Sequence, residues 1–318
     1  MQPPTENWTL VKEFVLVGFV GLREEVRLTL FCLFLAMYLM TLAENGALVL
    51  VVAAERRLHV PMYFFLVHLS CLDVGYTSLT VPKMLAGLVG PPSSRVISHP
   101  ACLAQLYLFT ALGATECFLL AAMAYDRYMA ICVPLRYQAV MSWATCLWLA
   151  GGSWVAGFLV PALPIYLMSR LIFCSSNAID HFFCDASPLL ALSCSDISIK
   201  QIGDFLVSLA VLLASSLVIG ASYAHIITAV MQIRSAAGRW RAFSTCTAHL
   251  AVVSTFYGTL FFMYARTEVA SSIRLNKVVS VFYALVTPML NPLIYSLRNV
   301  EVKGALHKAF SQGMWRPV

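Results

Sequence analysis

The chain has 318 residues, of which 60% are hydrophobic and only 11% charged. Soluble domains carry about 25% charged residues, so an ordinary water-soluble fold is excluded. The net charge of +6 comes without a run of basic residues, and the aromatics lie inside apolar stretches, which excludes a nucleic-acid partner.

A bilayer core takes about 20 apolar residues per helix. Runs of that order occupy residues 27–54, 60–88, 101–125, 143–168, 205–233, 242–265 and 278–297. They predict seven spans in one unit (27–297), between a polar tail (1–26) and a second tail (298–318). The first residues are polar and the first apolar run is long enough to span. It therefore reads as an uncleaved anchor rather than a leader peptide.

Charge does not orient the chain. With residue 1 outside, eleven of the 21 Lys and Arg face inward: Arg56, Arg57, Arg127, Arg136, Arg234, Arg239, Arg241, Arg298, Lys303, Lys308 and Arg316. The other ten face outward, too even a division for the positive-inside rule. Asn7-Trp8-Thr9 is a glycosylation sequon, used only in the lumen. Cys174, Cys184 and Cys194 share one loop, and Cys102 opens the third span on the same side. Disulfides need an oxidising compartment, so both features put the amino terminus outside. Four cysteines allow three pairings.

The first span carries Glu44, Asn45 and Gly46 at membrane depth, where a carboxyl must be neutral or hydrogen-bonded. Leu58–Leu66, LHVPMYFFL, opens the second, with Pro61 where a missing N–H costs nothing. Asp73 lies about two turns further in, and intramembrane carboxylates are more often functional than structural. In the third span Leu106, Phe109, Thr110, Gly113 and Ala114 recur at helical spacing. Glu116 follows, ten residues before Asp126. The stretch Met123–Tyr137, MAYDRYMAICVPLRY, sits where this helix leaves the bilayer. Asp126 and Arg127 can pair there, and Tyr125 and Tyr128 suit the interfacial belt.

Pro161 and Pro164 kink or end the fourth span. The loop 169–200 contains HFFCD (181–185) and LSCSD (192–196). His181-x-x-Cys184 is half of a metal site, but the cysteine is better used in a bridge. The fifth span carries Val207, Ser208 and Val211 and ends in Ser222-Tyr223. After a short Arg-flanked loop comes Ala242–Leu250, AFSTCTAHL, whose lone His249 reads as a packing residue with room for a switching role. Tyr257, Leu260, Phe261 and Tyr264 share one helical face. Pro288–Asn299 reads PMLNPLIYSLRN. Its Asn291-Pro292 step interrupts the helical ladder, so a neighbouring polar group must satisfy the freed carbonyl. Residues 301–310 are amphipathic and are expected along the inner membrane surface.

These strings, in this order and over nearly the whole chain, resemble odorant receptors of the tetrapod (class II) type within the rhodopsin-like G-protein-coupled receptors. Glu44 stands where the family has a small residue, Arg241 where it has lysine and Ala248 where it has serine. The resemblance implies an all-α membrane protein, a seven-transmembrane bundle with a short amphipathic eighth helix. It implies bridges Cys102–Cys184 and Cys174–Cys194, and glycosylation at Asn7. The pocket it implies is walled by Leu106, Phe109, Thr110, Gly113, Ala114, Val207, Ser208, Val211, Tyr257, Leu260, Phe261, Tyr264 and Ser280. Asp126, Arg127, Tyr128, Tyr223, His249, Asn291, Pro292 and Tyr295 would form the coupling switch. Asp73 and Glu116 would face each other as a sodium-type site; no other cofactor is expected.

The ligand implied is a neutral volatile, since no acid lies between Cys102 and Thr115 and no Arg or Lys is deep enough to hold a carboxylate. The seventh span, 278–297, has no lysine for a retinal Schiff base. Expected partners are an odorant, a stimulatory olfactory-type heterotrimeric G protein that raises cAMP, the lipid bilayer and a trafficking chaperone, at the plasma membrane. An orphan rhodopsin-like receptor with a chemosensory role outside the nose is the runner-up. A transporter lacks support because no internal repeat or paired helix breaks occur. An enzyme lacks it because His68, His225 and His249 lie on different helices with no catalytic spacing.

Overall fold

The computed structural model describes residues 11–174, 176–264 and 273–298, with 302 and 304; for residues 241, 245, 261–264, 273–276 and 296–298 it describes the backbone alone. Asn7 and nearly all of segment 301–310 lie outside the described residues, as do the side chains of Phe261 and Tyr264.

The polar tail contains a strand, β1 (Glu13–Leu16). It is followed by α1 (Glu24–Ala54), α2 (Pro61–Val89), β2 (Val96–Ser98) and α3 (His99–Cys132). Then come α4 (Pro134–Val140), α5 (Trp143–Leu159), α6 (Ala162–Ser169), β3 (Ala178–Ile179) and α7 (Ala186–Leu190). The chain closes with α8 (Ser198–Met231), α9 (Ala236–Tyr264), α10 (Ile273–Val281) and α11 (Thr287–Arg298).

Local chemistry sets several boundaries. Glu24 and Glu25 sit in the first turn of α1, at the positive end of its dipole. The Ser98 hydroxyl caps α3 by accepting from the Ala101 N–H at 3.4 Å, and Ser142 caps α5 from the Thr145 N–H at 3.3 Å. The break between α5 and α6 falls at Pro161, as proline geometry requires.

Among the described residues six helical stretches are long and apolar enough to cross a membrane. α9 is the seventh rod, and its Ser, Thr, His and Tyr residues make it the least apolar. α3 is the central rod, packed against α2, α5, α8 and α9. It meets α5 closely at Gly157, where an added Cβ would lie 2.0 Å from Thr115 Oγ1. α10 and α11 form one span, joined by a π-helical turn, Phe282–Val286.

The three strands form an outer sheet in the order β2-β1-β3. β1 runs antiparallel to β2 and parallel to β3. Phe14 is fully buried there, edge-on to His99 and Phe173. Within the expected 1–26 tail, Glu13–Leu16 thus forms a strand. A four-residue strand leaves little periodic signal, and its partners lie far away in sequence.

Candidate functional site

The outer end is closed by the loop 169–200. Cys184 is bonded to Cys102 and Cys174 to Cys194, with Cα–Cα separations of 5.4 and 5.9 Å. Gln105 adds a polar tie, donating to the Leu79 carbonyl at 2.8 Å and accepting from the Cys184 N–H at 2.9 Å. His181 is buried between the Phe182 and Phe183 rings. Its Nδ1 accepts the Phe183 N–H at 3.4 Å, so Nε2 carries the proton and donates to Ser280 Oγ at 3.1 Å. Burial pushes its basicity down, which keeps the ring neutral. Lys277, at the mouth of α10, pairs with Asp180 at 2.5 Å and reaches the Gly18 carbonyl at 3.4 Å. A Cβ on Gly18 would lie 2.7 Å from the His181 carbonyl carbon. Glycine there lets β1 and the loop close together.

Under this lid the expected pocket residues divide. Phe109, Val211, Tyr257 and Leu260 pack against one apolar cluster. Leu106 belongs to the lid cluster with Cys102 and Cys184. Phe109 turns towards α2, the lid and the π-helical turn, with ring contacts to Tyr76, Phe183 and Tyr283 at 5.0, 5.1 and 5.4 Å. Gly113 also faces α2, since its Cβ would lie 2.7 Å from the Tyr76 hydroxyl. Ala114 is buried, and the exposed Thr110 returns its hydroxyl to the Leu106 carbonyl at 2.8 Å. Val207 and Ser208 are half-buried on α8. Tyr257 donates to Ser215 at 2.6 Å and so ties α9 to α8. Ser280 is occupied by His181 and serves the lid.

One residue runs against expectation. Lys200, at the head of α8, is only 4% exposed, so a buried cation does exist at the outer end. It pairs with Asp204 one turn on, and its charge is answered within the chain. The sequence puts Lys200 at the end of the loop 169–200, and residue spacing cannot show that it turns inward.

Deeper in, Asp73 and Glu116 are both buried and near enough to interact electrostatically. Asn291 Nδ2 donates to both Asp73 oxygens, at 3.0 and 3.2 Å. Glu116 Oε1 and Asn291 Oδ1 are buried acceptors without a hydrogen-bond partner. Two carboxyls and an orphaned amide oxygen are a donor set that suits a small hard cation. The sequence reading missed Asn291 as part of this group.

Pro292 does not stop α11, which runs through it. A proline here frees the carbonyl of residue 288, and Asn45 Nδ2 from α1 donates to that carbonyl at 3.3 Å. The irregular turn lies upstream, at Phe282–Val286. Glu44, beside Asn45, is half-buried, and its Oε2 has no hydrogen-bond partner.

At the inner end the Asp126 carboxylate is fully buried. It accepts from Arg127 Nη2 at 2.6 Å and Nε at 3.1 Å, and from the Tyr137 hydroxyl of α4 at 2.8 Å. Burial and the Asp126 charge hold the Tyr137 phenol above its ordinary range, so it remains a donor. Tyr128 packs beside His225. His249 is fully buried; it accepts from the Tyr223 hydroxyl at Nδ1 (2.6 Å) and donates from Nε2 to the Leu120 carbonyl (3.2 Å). One neutral tautomer satisfies both bonds and joins α8, α9 and α3. Tyr295 is buried nearby with its hydroxyl unpartnered. Tyr137, Leu120 and Ser215 were missed in the sequence because contacts between helices carry no spacing signal.

Two further crevices lie on the α2 side. One, of about 20 Å³ and open to solvent, is lined by Leu16, Phe19, Val20, Lys83, Arg95 and Phe182. The other, too tight for a water molecule, lies between α2 and the seventh span and is lined by Thr80, Val81, Met84, Phe182, Val281 and Leu285.

A family model described as olfactory receptor matches residues 31–313. Human Olfactory receptor 6Q1 is 66% identical over 316 residues, 99% of each chain. Human Olfactory receptor 6A2 is 49% identical over 93% of this chain and 91% of its own. Olfactory receptor 226 of Rattus norvegicus is 49% identical over 94% and 91%.

Proposed function

The chain belongs to the olfactory receptor family, and from that premise we propose that it binds a small neutral volatile inside the bundle and couples to a stimulatory olfactory-type G protein, raising cAMP. It is an odorant-sensing, multi-pass membrane receptor of the G-protein-coupled class and not an enzyme.

The observation that carries the reading is the pairing of a lidded apolar interior with a closed ionic latch at the opposite end. A ligand shifts such a two-state bundle only by binding one state better than the other. Phe109, Val211 and Leu260 offer apolar contact at about 25 cal/mol per Å², and Thr110, Ser208 and Tyr257 offer neutral hydrogen bonds. Phe261 and Tyr264 are further members of the set taken from the family resemblance. Movement of α9 would then strain the Tyr223–His249–Leu120 connection and release Arg127 from Asp126. The amino terminus faces outward, Asn7 is glycosylated there, and the receptor works at the plasma membrane. The unpartnered Glu44 oxygen favours dependence on a trafficking chaperone.

A cAMP reporter in cells given the receptor, the olfactory G protein and a chaperone tests the whole reading. Neutral alcohols, aldehydes, ketones or esters should activate it; activation by short acids or amines alone would overturn the ligand class. Tyr257→Phe should shift the odorant concentration for half-activation by about fivefold to tenfold, one hydrogen bond at about 1 kcal/mol. Surface labelling should stay unchanged; a matching fall in surface level would assign Tyr257 to folding instead.

We propose a sodium ion between Asp73, Glu116 and Asn291, where it would hold the inactive arrangement by balancing one of the two buried carboxyls while the other keeps its proton. Raising sodium at constant ionic strength should lower odorant potency in wild type and leave Glu116→Gln unaffected. Equal insensitivity of both proteins would remove the ion from the scheme.

A further inference from the structure

Two polar contacts among the described residues fasten the loop 169–200 to the seventh span. Lys277 holds Asp180, but that aspartate is half-exposed and its pair is open to screening. The other contact is buried: His181 Nε2 donates to Ser280 Oγ at 3.1 Å. The same residue joins the cover to the end of β1, since its carbonyl accepts the Gly18 N–H at 3.2 Å. Loop, β1 and α10 therefore meet at His181.

These contacts fix one protonation state. Nδ1 accepts the Phe183 N–H at 3.4 Å while Nε2 donates, so the neutral ring uses both nitrogens. A second proton has to go on Nδ1, where it would meet the Phe183 N–H donor to donor. The charged groups facing the ring are Asp185 and Asp180 of the loop and Lys277 of α10. Asp185 Oδ2 lies 4.0 Å from Nε2, just short of a hydrogen bond. The aspartates favour an imidazolium and Lys277 opposes it. Burial between Phe182 and Phe183 outweighs the aspartates and holds the ring below its ordinary 6.5. The closed cover thus binds fewer protons than an open one, whose histidine is solvated. By linkage, closure is at full strength above a pH of about 6.5 and weakens as the pH falls below it.

We propose that His181 is a proton-operated catch: on the charged ring Nε2 leaves Ser280 for Asp185, Nδ1 parts from the Phe183 N–H, and the cover separates from the seventh span. The new charge-assisted pair lies within the loop, so it no longer ties the cover to α10. The Cys102–Cys184 bridge stays in place, so the change is a loosening of residues 178–185 and not an unfolding. Its consequence for odorant, faster exchange with the interior in acid, rests on the odorant-sensing reading; the catch itself does not.

The test is hydrogen–deuterium exchange of the purified full-length receptor in neutral-lipid nanodiscs, without odorant. It compares about pH 7.4 with about pH 5.5, after correction for the intrinsic pH dependence of amide exchange. One histidine with an open-state value of about 6.5 can raise the open population by at most about tenfold over that range. A rise of about threefold to tenfold is expected across residues 178–185, with α3 unchanged. His181→Gln keeps a donor and an acceptor without titrating, so its cover should exchange equally at both pH values. A wild-type rise that begins only below about pH 5, where carboxylates titrate, would overturn the catch even if the Gln variant failed to fold. So would a flat wild-type profile, an equal rise in α3, or an undiminished rise in His181→Gln. Neither odorant nor G protein enters the measurement, so failure of the odorant reading leaves this result standing.

Discussion

Asp126→Asn is expected to raise ligand-independent cAMP about tenfold at equal surface expression. The carboxylate is fully buried and accepts three hydrogen bonds, two from Arg127 and one from Tyr137. Asparagine keeps the shape but loses the charge and one acceptor oxygen. A hydrogen bond to a charged group contributes about 1.5–3 kcal/mol, and losing one of that size from the closed state alone shifts the open population about tenfold or more. Arg127 would then turn towards the inner cavity, where the proposed G protein would dock. Tyr137→Phe removes one bond of the three and leaves the ion pair, so its basal signal should rise less. Basal cAMP that stays at the wild-type level in Asp126→Asn, with normal surface labelling, would show that this latch does not hold the inactive state.

Cys102→Ser should reduce the receptor at the cell surface to background. The Cys102–Cys184 bridge spans 82 residues and both partners are wholly buried. Chain entropy gives such a cross-link about 4.5 kcal/mol, an upper value because α3 and α5 stay in the bilayer in any unfolded form. The bridge also seats His181, Phe182 and Phe183 over the bundle, so their burial is lost with it. Cys174→Ser opens a loop of 20 residues within the same segment, worth about 3 kcal/mol by the same relation. Its surface level should fall less. Surface labelling and the melting temperature in detergent check both; equal tolerance of the two variants would mean that the lid is held by its other contacts.

The contrast between expected and observed contacts follows the range of the signal. Helical runs were legible because 20 apolar residues have no other stable use in a bilayer. Asp126 beside Arg127 was legible because adjacent charges at a helix end must pair or leave lipid. The freed carbonyl at Pro288 was predictable from Pro292, but the donor Asn45, 243 residues away, was not. The third-helix face of Leu106, Phe109, Thr110, Gly113 and Ala114 was read as one wall. In the fold it divides between the lid, α2 and the interior, because α3 has neighbours all round.

By itself the sequence determined that this chain lives in a membrane as a helical bundle, with ionic groups at one end and cysteines at the other. Those features are local, set by transfer free energy and by charges too costly to leave in lipid. Only the tertiary structure decided that β1 is stitched under the lid, that Asn291 completes the acidic pair, and that His249 ties three helices. Each depends on partners from distant parts of the chain meeting at hydrogen-bond distance, and residue spacing along one helix cannot encode such a meeting.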